Sequence, residues 1–407
     1  MAIGPCLPEE GSIRYPGWPV VGVCFAMALV CWGFGFYGHS FYLAELQRLH
    51  GWPTTLVSSA STLYYFVSAV LVVFISDGIR HLGARGCVLV GSCSFAAAAA
   101  ALPFISTPAQ LFAAYLVMAV GWATMSVGAI TNILGQWFGT KRGLAISLAL
   151  NGASFSGVVV VPGLVFLSGA TNFTTAMLTG GAGILLLMVP LAVIVLGRVP
   201  PALPATPPRL GTDTPRTWTR AAALRSVPFW TVSGPFAIAL LAQAGVLVHL
   251  IAFLEPMTGR NIAGTAIAIT TAMAIVGRFW VGAIADRVNQ RWASALSMAS
   301  QAAALVVMTQ TTTPEVLLAA CAVYGFSVGN LITFPALIIQ REFDAGSFGM
   351  LIGLSTAITQ FTYAFGPGLL GLVRDLSGTY TASLLLCVAL NLIAATIVIK
   401  QPSRTAG

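Results

Sequence analysis

The stretch RVPPALPATPPRLGTDTPRTWTRAAALRS, residues 198–226, is the longest interruption in a chain that is otherwise almost continuously apolar. It is rich in proline and arginine and has no apolar periodicity, which is typical of a linker. Six long apolar runs precede it and six follow it. The sequence therefore predicts two halves, residues 1–197 and 227–407, joined by this linker.

The composition requires a membrane around most of the chain. Of the 407 residues, 57% are hydrophobic, only 7% are charged, and the mean hydropathy is +0.89. A soluble domain carries about 25% charged residues, so the 19 basic and 11 acidic residues of this chain are too few to cover a water-facing surface. Disordered chains are rich in charge, which excludes disorder as well. We therefore expect an all-α integral membrane protein.

The number of membrane spans follows from the length of the apolar runs. A helix that crosses a bilayer needs about 20 mostly apolar residues. Twelve runs satisfy this requirement: 18–44, 54–76, 86–104, 109–132, 143–168, 174–197, 227–254, 262–285, 293–311, 315–338, 348–372 and 380–399. The prediction is twelve transmembrane helices in two six-helix bundles.

The distribution of lysine and arginine sets the orientation, because cytoplasmic connections carry an excess of both. With both termini in the cytoplasm, the tails and even-numbered connections hold 15 of the 19 basic residues, the linker included. The opposite side holds only Arg48, Arg260 and Arg374, and Arg278 lies inside a span. We expect both termini and the linker to be cytoplasmic. The acidic, proline-containing N-terminus does not resemble a cleavable signal peptide.

The two halves repeat each other at an offset of about 210 residues. His39 precedes Glu45 by six residues in the first span, and His249 precedes Glu255 by six residues in the seventh. Aspartates that follow the second and eighth spans recur at nearly the same offset. Parallel repeats of this kind place a binding site at their interface near the middle of the bilayer, and rocking of the halves gives alternating access.

Three motifs carry a family resemblance. The run GAIADRVNQR (282–291) resembles the G-x-x-x-D-R-x-G-R-[KR] loop of the major facilitator superfamily, with Asn289 in place of the second glycine. The run WFGTKRGLA (137–145) resembles the W-F-x-x-K-R-G-L-A of the monocarboxylate transporters and oxalate:formate antiporters. The run RDLSGTY (374–380) resembles their D-x-[ST]-G-[ST]-Y. The resemblance implies the superfamily fold and transport of a small organic anion.

Arg278 is the principal candidate for substrate binding. An ionisable group within a span costs about 2.5–3.5 kcal/mol on insertion scales and by default marks function. A guanidinium in a cavity can bind a carboxylate bidentately, and the resemblance implies the same role for an arginine in the eighth span. The alternative is that Arg278 extends to the headgroups.

The resemblance also has departures that bear on the substrate. Proton-coupled animal monocarboxylate transporters have an aspartate one turn before this arginine, where this chain has Ala274. Oxalate antiporters have a lysine in the eleventh span, where this chain has the neutral pair Thr359-Gln360. A single strong cation suits a monoanion better than a dianion.

Histidine is the residue that gains and loses a proton between pH 5 and 8. His39 and His249 lie in the corresponding spans 1 and 7, so both are candidates for proton coupling. His39-Ser40 falls where the animal transporters have lysine followed by serine, so His39 is also a candidate for substrate binding. The alternative for each is a structural histidine, bonded to a backbone carbonyl or, for His39, to Glu45.

Polar residues inside other spans complete the predicted site, since a buried amide or phenol needs a partner. Tyr65 lies one turn before the position that the repeat offset relates to Arg278. For each of these polar residues, hydrogen bonding between helices is an equally good explanation. The additional candidates for substrate binding are Tyr65, Gln243, Asn330, Gln360 and Tyr363.

The cytoplasmic motifs predict a latch rather than a binding site. Asp286 and Arg287 lie just past the eighth span, where the acid can pair with Arg287 or cap a neighbouring helix. Lys141 and Arg142 are positioned to contact anionic lipid headgroups or a helix C-terminus.

The sequence favours a secondary transporter of a small monocarboxylate, coupled to protons or to anion exchange. The alternative is an efflux transporter of the same fold for apolar drugs or a thiol-reactive metalloid, supported only by scattered cysteines and aromatic residues. No phosphate-binding loop, metal-ligand cluster or nucleophile–base pair indicates an enzyme, a metal site or a cofactor. The basic residues form no nucleic-acid patch. We expect a monomer in the plasma membrane, with compact termini more typical of a bacterial inner membrane.

Overall fold

The structure is a computed structural model that describes Glu10, Ser12 and residues 14–139, 141–198, 218–284, 287–343 and 347–400. Every regular element in these residues is helical. The α-helices, in chain order, are α1 Trp18–Trp32, α2 Gly38–His50, α3 Thr54–Val72, α4 Ile75–Ala101, α5 Pro108–Met125, α6 Val127–Trp137, α7 Arg142–Ala170, α8 Phe173–Ile194, α9 Arg220–Arg225, α10 Val227–Thr258, α11 Arg260–Ile284, α12 Gln290–Gln310, α13 Pro314–Val328, α14 Asn330–Glu342, α15 Phe348–Tyr363, α16 Gly366–Ser377 and α17 Tyr380–Ile399. A π-helical turn, Gly33–Tyr37, joins α1 to α2, and a 3₁₀ turn, Leu102–Phe104, follows α4.

The prediction of a multi-span helical membrane protein is confirmed. Within the described residues, eleven helical segments are long and apolar enough to cross a membrane. The remaining predicted span, 348–372, is divided between α15 and α16, which are separated at Ala364 and Phe365. Pro367 lies in the first turn of α16, where a residue without a backbone N–H is tolerated.

Packing divides the chain into two compact units. The first contains the described residues of Met1–Gly38 and Val67–Pro208, in which α1 packs against α7, and α4 packs against α5 and α8. The second contains His39–Phe66 and the described residues of Arg209–Gly407. In this second unit α10 packs against α15, α12 packs against α13 and α17, and α11 packs against α13.

The helix pairs of the two units correspond. Span 1 packs on span 5, as span 7 packs on span 11. Span 3 packs on spans 4 and 6, as span 9 packs on spans 10 and 12. These three pairs of spans therefore have equivalent neighbours in the two units, as expected of a duplicated six-helix bundle. The contact-based boundary nevertheless differs from the predicted boundary, because residues 39–66 pack with the second unit.

The ends of several helices differ from the predicted spans. The first span was predicted to end at residue 44, but α2 continues to His50, and the Glu45 side chain is 1% exposed. The predicted break at 77–85 is largely helical and is interrupted at Gly83, whose φ is +72°. Apolar runs underestimate these helices because their polar ends pair with other side chains of the protein.

Candidate functional site

A group of ring side chains surrounds His39 in the second unit. The His39 ring centroid lies 4.6 Å from that of Tyr64, 5.3 Å from that of Tyr65 and 5.9 Å from that of Tyr42. The Tyr65 ring in turn makes an edge contact with the Tyr363 ring, at 5.3 Å between centroids. We refer to these five residues as the aromatic cluster. The cluster brings together three predicted site residues: His39, Tyr65 and Tyr363.

Helix geometry explains how α3 presents this group to His39. Ser61 and Tyr65 are four residues apart and therefore share a face of the helix. The Ser61 hydroxyl lies 2.9 Å from Nδ1 of His39, and the Tyr65 ring stacks on the imidazole with 22° between the ring planes. His39 and Tyr65 are at most 1% exposed. Burial and the Ser61 hydrogen bond fix the orientation of the imidazole.

Arg278 lies in α11 and is half-buried. Its Nε donates to the carbonyl oxygen of Ala274 at 3.4 Å, and its side chain passes beside Gly329, the residue between α13 and α14. A Cβ at Gly329 would collide with the Arg278 side chain and the Ala274 carbonyl. The absence of a side chain at position 329 therefore makes the room that Arg278 occupies.

Two further predicted residues lie near these groups along the chain. Asn330 follows Gly329, is fully buried, and donates from Nδ2 to the Phe326 carbonyl at 3.0 Å. Its Oδ1 has no hydrogen-bond partner among the described residues. Gln360 is half-buried on α15, one turn before Tyr363.

His249 and Gln243 have partners between helices of the second unit. Nε2 of His249 donates to the Pro367 carbonyl at 2.9 Å, because a carbonyl can only accept, and Nδ1 lies 3.2 Å from the Tyr380 hydroxyl. Gln243 accepts from Nε2 of Gln301 at 3.1 Å. Both are almost fully buried, and both connect α10 to neighbouring helices.

The predicted latch residues are only partly described. Asp286 lies outside the described residues, and Arg287 is exposed. Arg142 donates to the Thr131 carbonyl in α6 at 3.3 Å, and the backbone N–H of Lys141 donates to the Glu10 carboxylate at 2.8 Å. Lys141 and Arg142 therefore meet the N-terminal tail and α6 through hydrogen bonds that the sequence did not reveal.

Glu10 belongs to a tail segment that packs on the loop before α7. Its carboxylate also accepts from the Gly139 backbone N–H at 2.8 Å. The Tyr15 hydroxyl donates to the Trp137 carbonyl, and its ring makes an edge contact with Phe138. Burial, and then the nearby Glu10 charge, raise the pKa of Tyr15 above its ordinary value, so this hydroxyl remains a donor.

Sequence reasoning missed Arg291, the last residue of the run 282–291. Its side chain is 2% exposed and forms two hydrogen bonds with the Glu342 carboxylate, at 2.6 and 2.7 Å. It also donates to the carbonyls of Val398 and Lys400 and to the hydroxyl of Thr231. The sequence interpretation counted Arg291 only among the basic residues that set the membrane orientation, although its place at the end of the motif indicated a further role.

A shallow apolar groove of 430 Å³ lies between α4 and α5 in the first unit. Alanines line most of it, with Phe104, Ile105, Gln110 and Val117. No predicted site residue contributes to it.

Comparisons with known proteins agree with this architecture. The chain is 28% identical over 344 residues to Monocarboxylate transporter 11 of Homo sapiens, covering 79% of this chain and 69% of that protein. It is 26% identical over 334 residues to Monocarboxylate transporter 13 of Rattus norvegicus, covering 79% and 74%. The crystal structure of a bacterial homolog of the human lysosomal transporter Spinster, in an inward-facing and occupied conformation, has the same fold, with a TM-score of 0.70, 14% identity and coverage of 95% and 97%.

The family model for the Major Facilitator Superfamily matches residues 23–367, which is most of the chain. This range includes the π-helical turn, the aromatic cluster and Arg278. The chain belongs to the Major Facilitator Superfamily and is a multi-pass membrane transporter.

Proposed function

We propose that this transporter carries a small monocarboxylate by alternating access between its two six-helix halves, residues 1–197 and 227–407, which the linker 198–226 connects. The observation that carries the proposal is Arg278, an arginine within the apolar helix α11. The similarity of the chain to monocarboxylate transporters 11 and 13 supports a monocarboxylate as the substrate.

Arg278 binds the carboxylate in this proposal. A guanidinium presents parallel N–H donors that match the two oxygens of a carboxylate. The side chain is half-buried, so its charge acts in surroundings of lower dielectric than water, where its attraction for an anion is stronger. A single arginine favours one carboxylate per substrate.

The aromatic cluster receives the rest of the substrate and includes the proton-coupling candidate His39. Tyr65 and Tyr363 supply apolar ring faces, and Gln360 and Asn330 supply amide groups at neighbouring positions. His249 is retained as a second proton-coupling candidate, although its two ring nitrogens already have partners. Substrate uptake would accompany proton uptake or exchange for a second anion.

The cellular setting is part of the proposal. We place the protein as a monomer in a bacterial inner membrane, with both termini cytoplasmic and Lys141 and Arg142 near anionic lipids. The distribution of basic residues supports this orientation, since 15 of 19 fall on one side of the predicted spans.

The test is ligand stabilisation of the purified protein, followed by uptake into liposomes. The panel contains small monocarboxylates, dicarboxylates, lipophilic cations and trivalent arsenicals. A ligand at about 100 times its Kd stabilises the folded state by roughly 2.7 kcal/mol, which a thermal-shift assay detects. Wild type is compared with Arg278→Gln, with Arg278→Lys, and with Arg80→Gln as a control at an exposed arginine.

A monocarboxylate should stabilise wild type and Arg80→Gln, but not Arg278→Gln. Arg278→Lys should bind more weakly than wild type, because lysine keeps the charge and loses the planar fork. Stabilisation by cations or arsenicals alone, equal in all variants, would overturn the monocarboxylate proposal in favour of efflux.

A further inference from the structure

The segment 39–66 is held on the helices of the second unit by side chains that accept backbone hydrogen bonds. Ser40 accepts from the Ile251 N–H at 2.8 Å, and Thr62 accepts from the Gly368 N–H at 3.0 Å. In the third hydrogen bond segment 39–66 is the donor: the Thr55 N–H donates to the Asp375 carboxylate at 2.6 Å. The segment therefore contacts α10 and α16 at three separate positions along its length.

One ion pair stands out among these contacts. The Glu45 carboxylate is 1% exposed and pairs with Arg260, whose side chain is 22% exposed. The Glu45 carboxylate also pairs with Arg48, with 2.8 Å between Oε2 and Nη2, but Arg48 is 56% exposed and lies three residues away on the same helix. The pair with Arg260 joins segment 39–66 to α11.

The backbone places Arg260 where it can reach Glu45. Gly259 ends α10 with a φ of +81°, a conformation that an L side chain rarely adopts. The chain reverses there, and α11 begins at the next residue. Arg260 is thus fixed at the junction of two membrane helices rather than in a long loop.

The energetics of such a pair suit a switch with two states. A buried carboxylate that loses its partner but stays dry is strongly unfavourable. The same two charges are not destabilised when they separate and water hydrates each of them. The ion pair therefore has two stable states, one paired and buried and one separated and hydrated, and an unpaired charge that stays buried is disfavoured. Bistable contacts of this kind produce discrete conformational transitions.

We infer that Glu45 and Arg260 form a lock that keeps the transporter closed at the membrane face opposite the arginine-rich connections. This inference rests on the proposed alternating-access function but not on the identity of the substrate. Two of the three basic residues predicted for that face, Arg48 and Arg260, converge on Glu45, which supports its location. Opening the pathway at this face requires Glu45 and Arg260 to separate.

The test measures access to a buried position in segment 39–66. Ser58 is fully buried, and Gly371 of α16 packs on it so closely that a Cβ there would meet the Ser58 hydroxyl. A Ser58→Cys substitution is made in a Cys6→Ser/Cys93→Ser background, because Cys93 is exposed and the other described cysteines are buried. Labelling by a membrane-impermeant maleimide is then timed in liposomes.

Removing the lock should increase exposure of that thiol. Glu45→Gln or Arg260→Gln should accelerate labelling about tenfold, because either change raises the population of the open state from a minor fraction. Arg48→Gln is the matched control and should change the rate by less than about threefold, since Arg48 is 56% exposed and Glu45 keeps its pair with Arg260. Equal labelling rates in wild type, Glu45→Gln and Arg260→Gln would overturn the lock.

A second experiment replaces both partners together, so that no unpaired charge remains in the buried position. In Glu45→Cys/Arg260→Cys, made in the same Cys6→Ser/Cys93→Ser background, a short bis-methanethiosulfonate that links the two thiols through disulfides should stop transport, and reduction of those disulfides should restore it. Transport that continues at full rate in the cross-linked protein would also contradict the lock. Failure of the monocarboxylate proposal would leave the labelling differences intact, whereas failure of the lock would leave ligand stabilisation through Arg278 intact.

Discussion

The imidazole ring of His39 lies against the phenol ring of Tyr65, with 5.3 Å between centroids and 22° between planes, while Ser61 holds Nδ1 at 2.9 Å. A stacked and hydrogen-bonded imidazole has one orientation, which a proton-transfer group requires. The same Tyr65 ring contacts Tyr363 of α15. A movement of α15 would displace Tyr363, which contacts Tyr65, and Tyr65 would in turn displace His39.

His39 is expected to determine the pH dependence of transport. Replacing His39 with Gln preserves a polar group and removes the titratable one, so the dependence of uptake on pH should become weaker. Uptake is measured in liposomes at a series of external pH values. Ser61→Ala serves as the positioning control and should alter the profile without flattening it. A profile identical to wild type in His39→Gln would remove His39 as the coupling residue.

Tyr65 is expected to act through its ring. Tyr65→Phe keeps the ring contacts with His39 and Tyr363, whereas Tyr65→Leu removes them. An aromatic pair is worth about 0.5–1.5 kcal/mol beyond its buried area. Substrate affinity should therefore fall in Tyr65→Leu and stay near the wild-type value in Tyr65→Phe, as measured by ligand-dependent thermal shift. A larger loss in Tyr65→Phe would show instead that the hydroxyl carries the function.

Arg291 is expected to be a principal stabilising residue of the second unit. Arg291→Gln leaves Glu342 without its guanidinium partner and removes the bonds to Val398 and Lys400. Breaking one side of a buried ion pair costs about 3–5 kcal/mol, and the 29% exposure of Glu342 places the expected loss at the lower end. Denaturation in detergent measures the loss. Arg287→Gln, at an exposed neighbour, should stay within about 0.5 kcal/mol of wild type.

Asp375 is expected to make stability depend on pH in the acidic range. Burial alone would raise its pKa, but hydrogen bonds from Thr55, Arg374 and Thr54 lower it from 3.8 to about 2. Its contribution to folding is therefore fully present above the ordinary pKa and is lost as the pH falls through the lowered value. The melting temperature of Asp375→Asn should lie below that of wild type at neutral pH, and the gap should close near pH 2. A constant gap would contradict the assignment.

Glu10 is expected to stabilise the start of α7. Its carboxylate accepts the backbone N–H groups of Gly139 and Lys141, as a helix cap does. Loss of such a cap costs about 1 kcal/mol, so Glu10→Ala should lower the melting temperature. Arg14→Ala, an exposed residue of the same tail, is the control. Equal melting of Glu10→Ala and wild type would show that the tail does not support the loop.

The sequence was most informative about the helices and least informative about the site. Apolar run length and basic-residue counts predicted the spans because the bilayer imposes both, but the break at Ala364 and Phe365 and the burial of Glu45 depend on partners distant in sequence. The repeat offset identified Tyr65, yet its contact with Tyr363 depends on packing within the second unit, which the sequence does not display. Ser61, Arg260 and Arg291 were missed because their types are common at span ends or on helices.

The π-helical turn at Gly33–Tyr37 precedes these contacts, and the Gly38 N–H donates to the Gly33 carbonyl across it. A π-turn holds one more residue than an α-turn. Losing that residue would rotate everything beyond it by about 100°, and Ser40 and Glu45 would face other neighbours. The number of residues between α1 and α2 thus sets which way the side chains of α2 face, so a one-residue deletion is a compact route by which evolution or a protein engineer can alter the site.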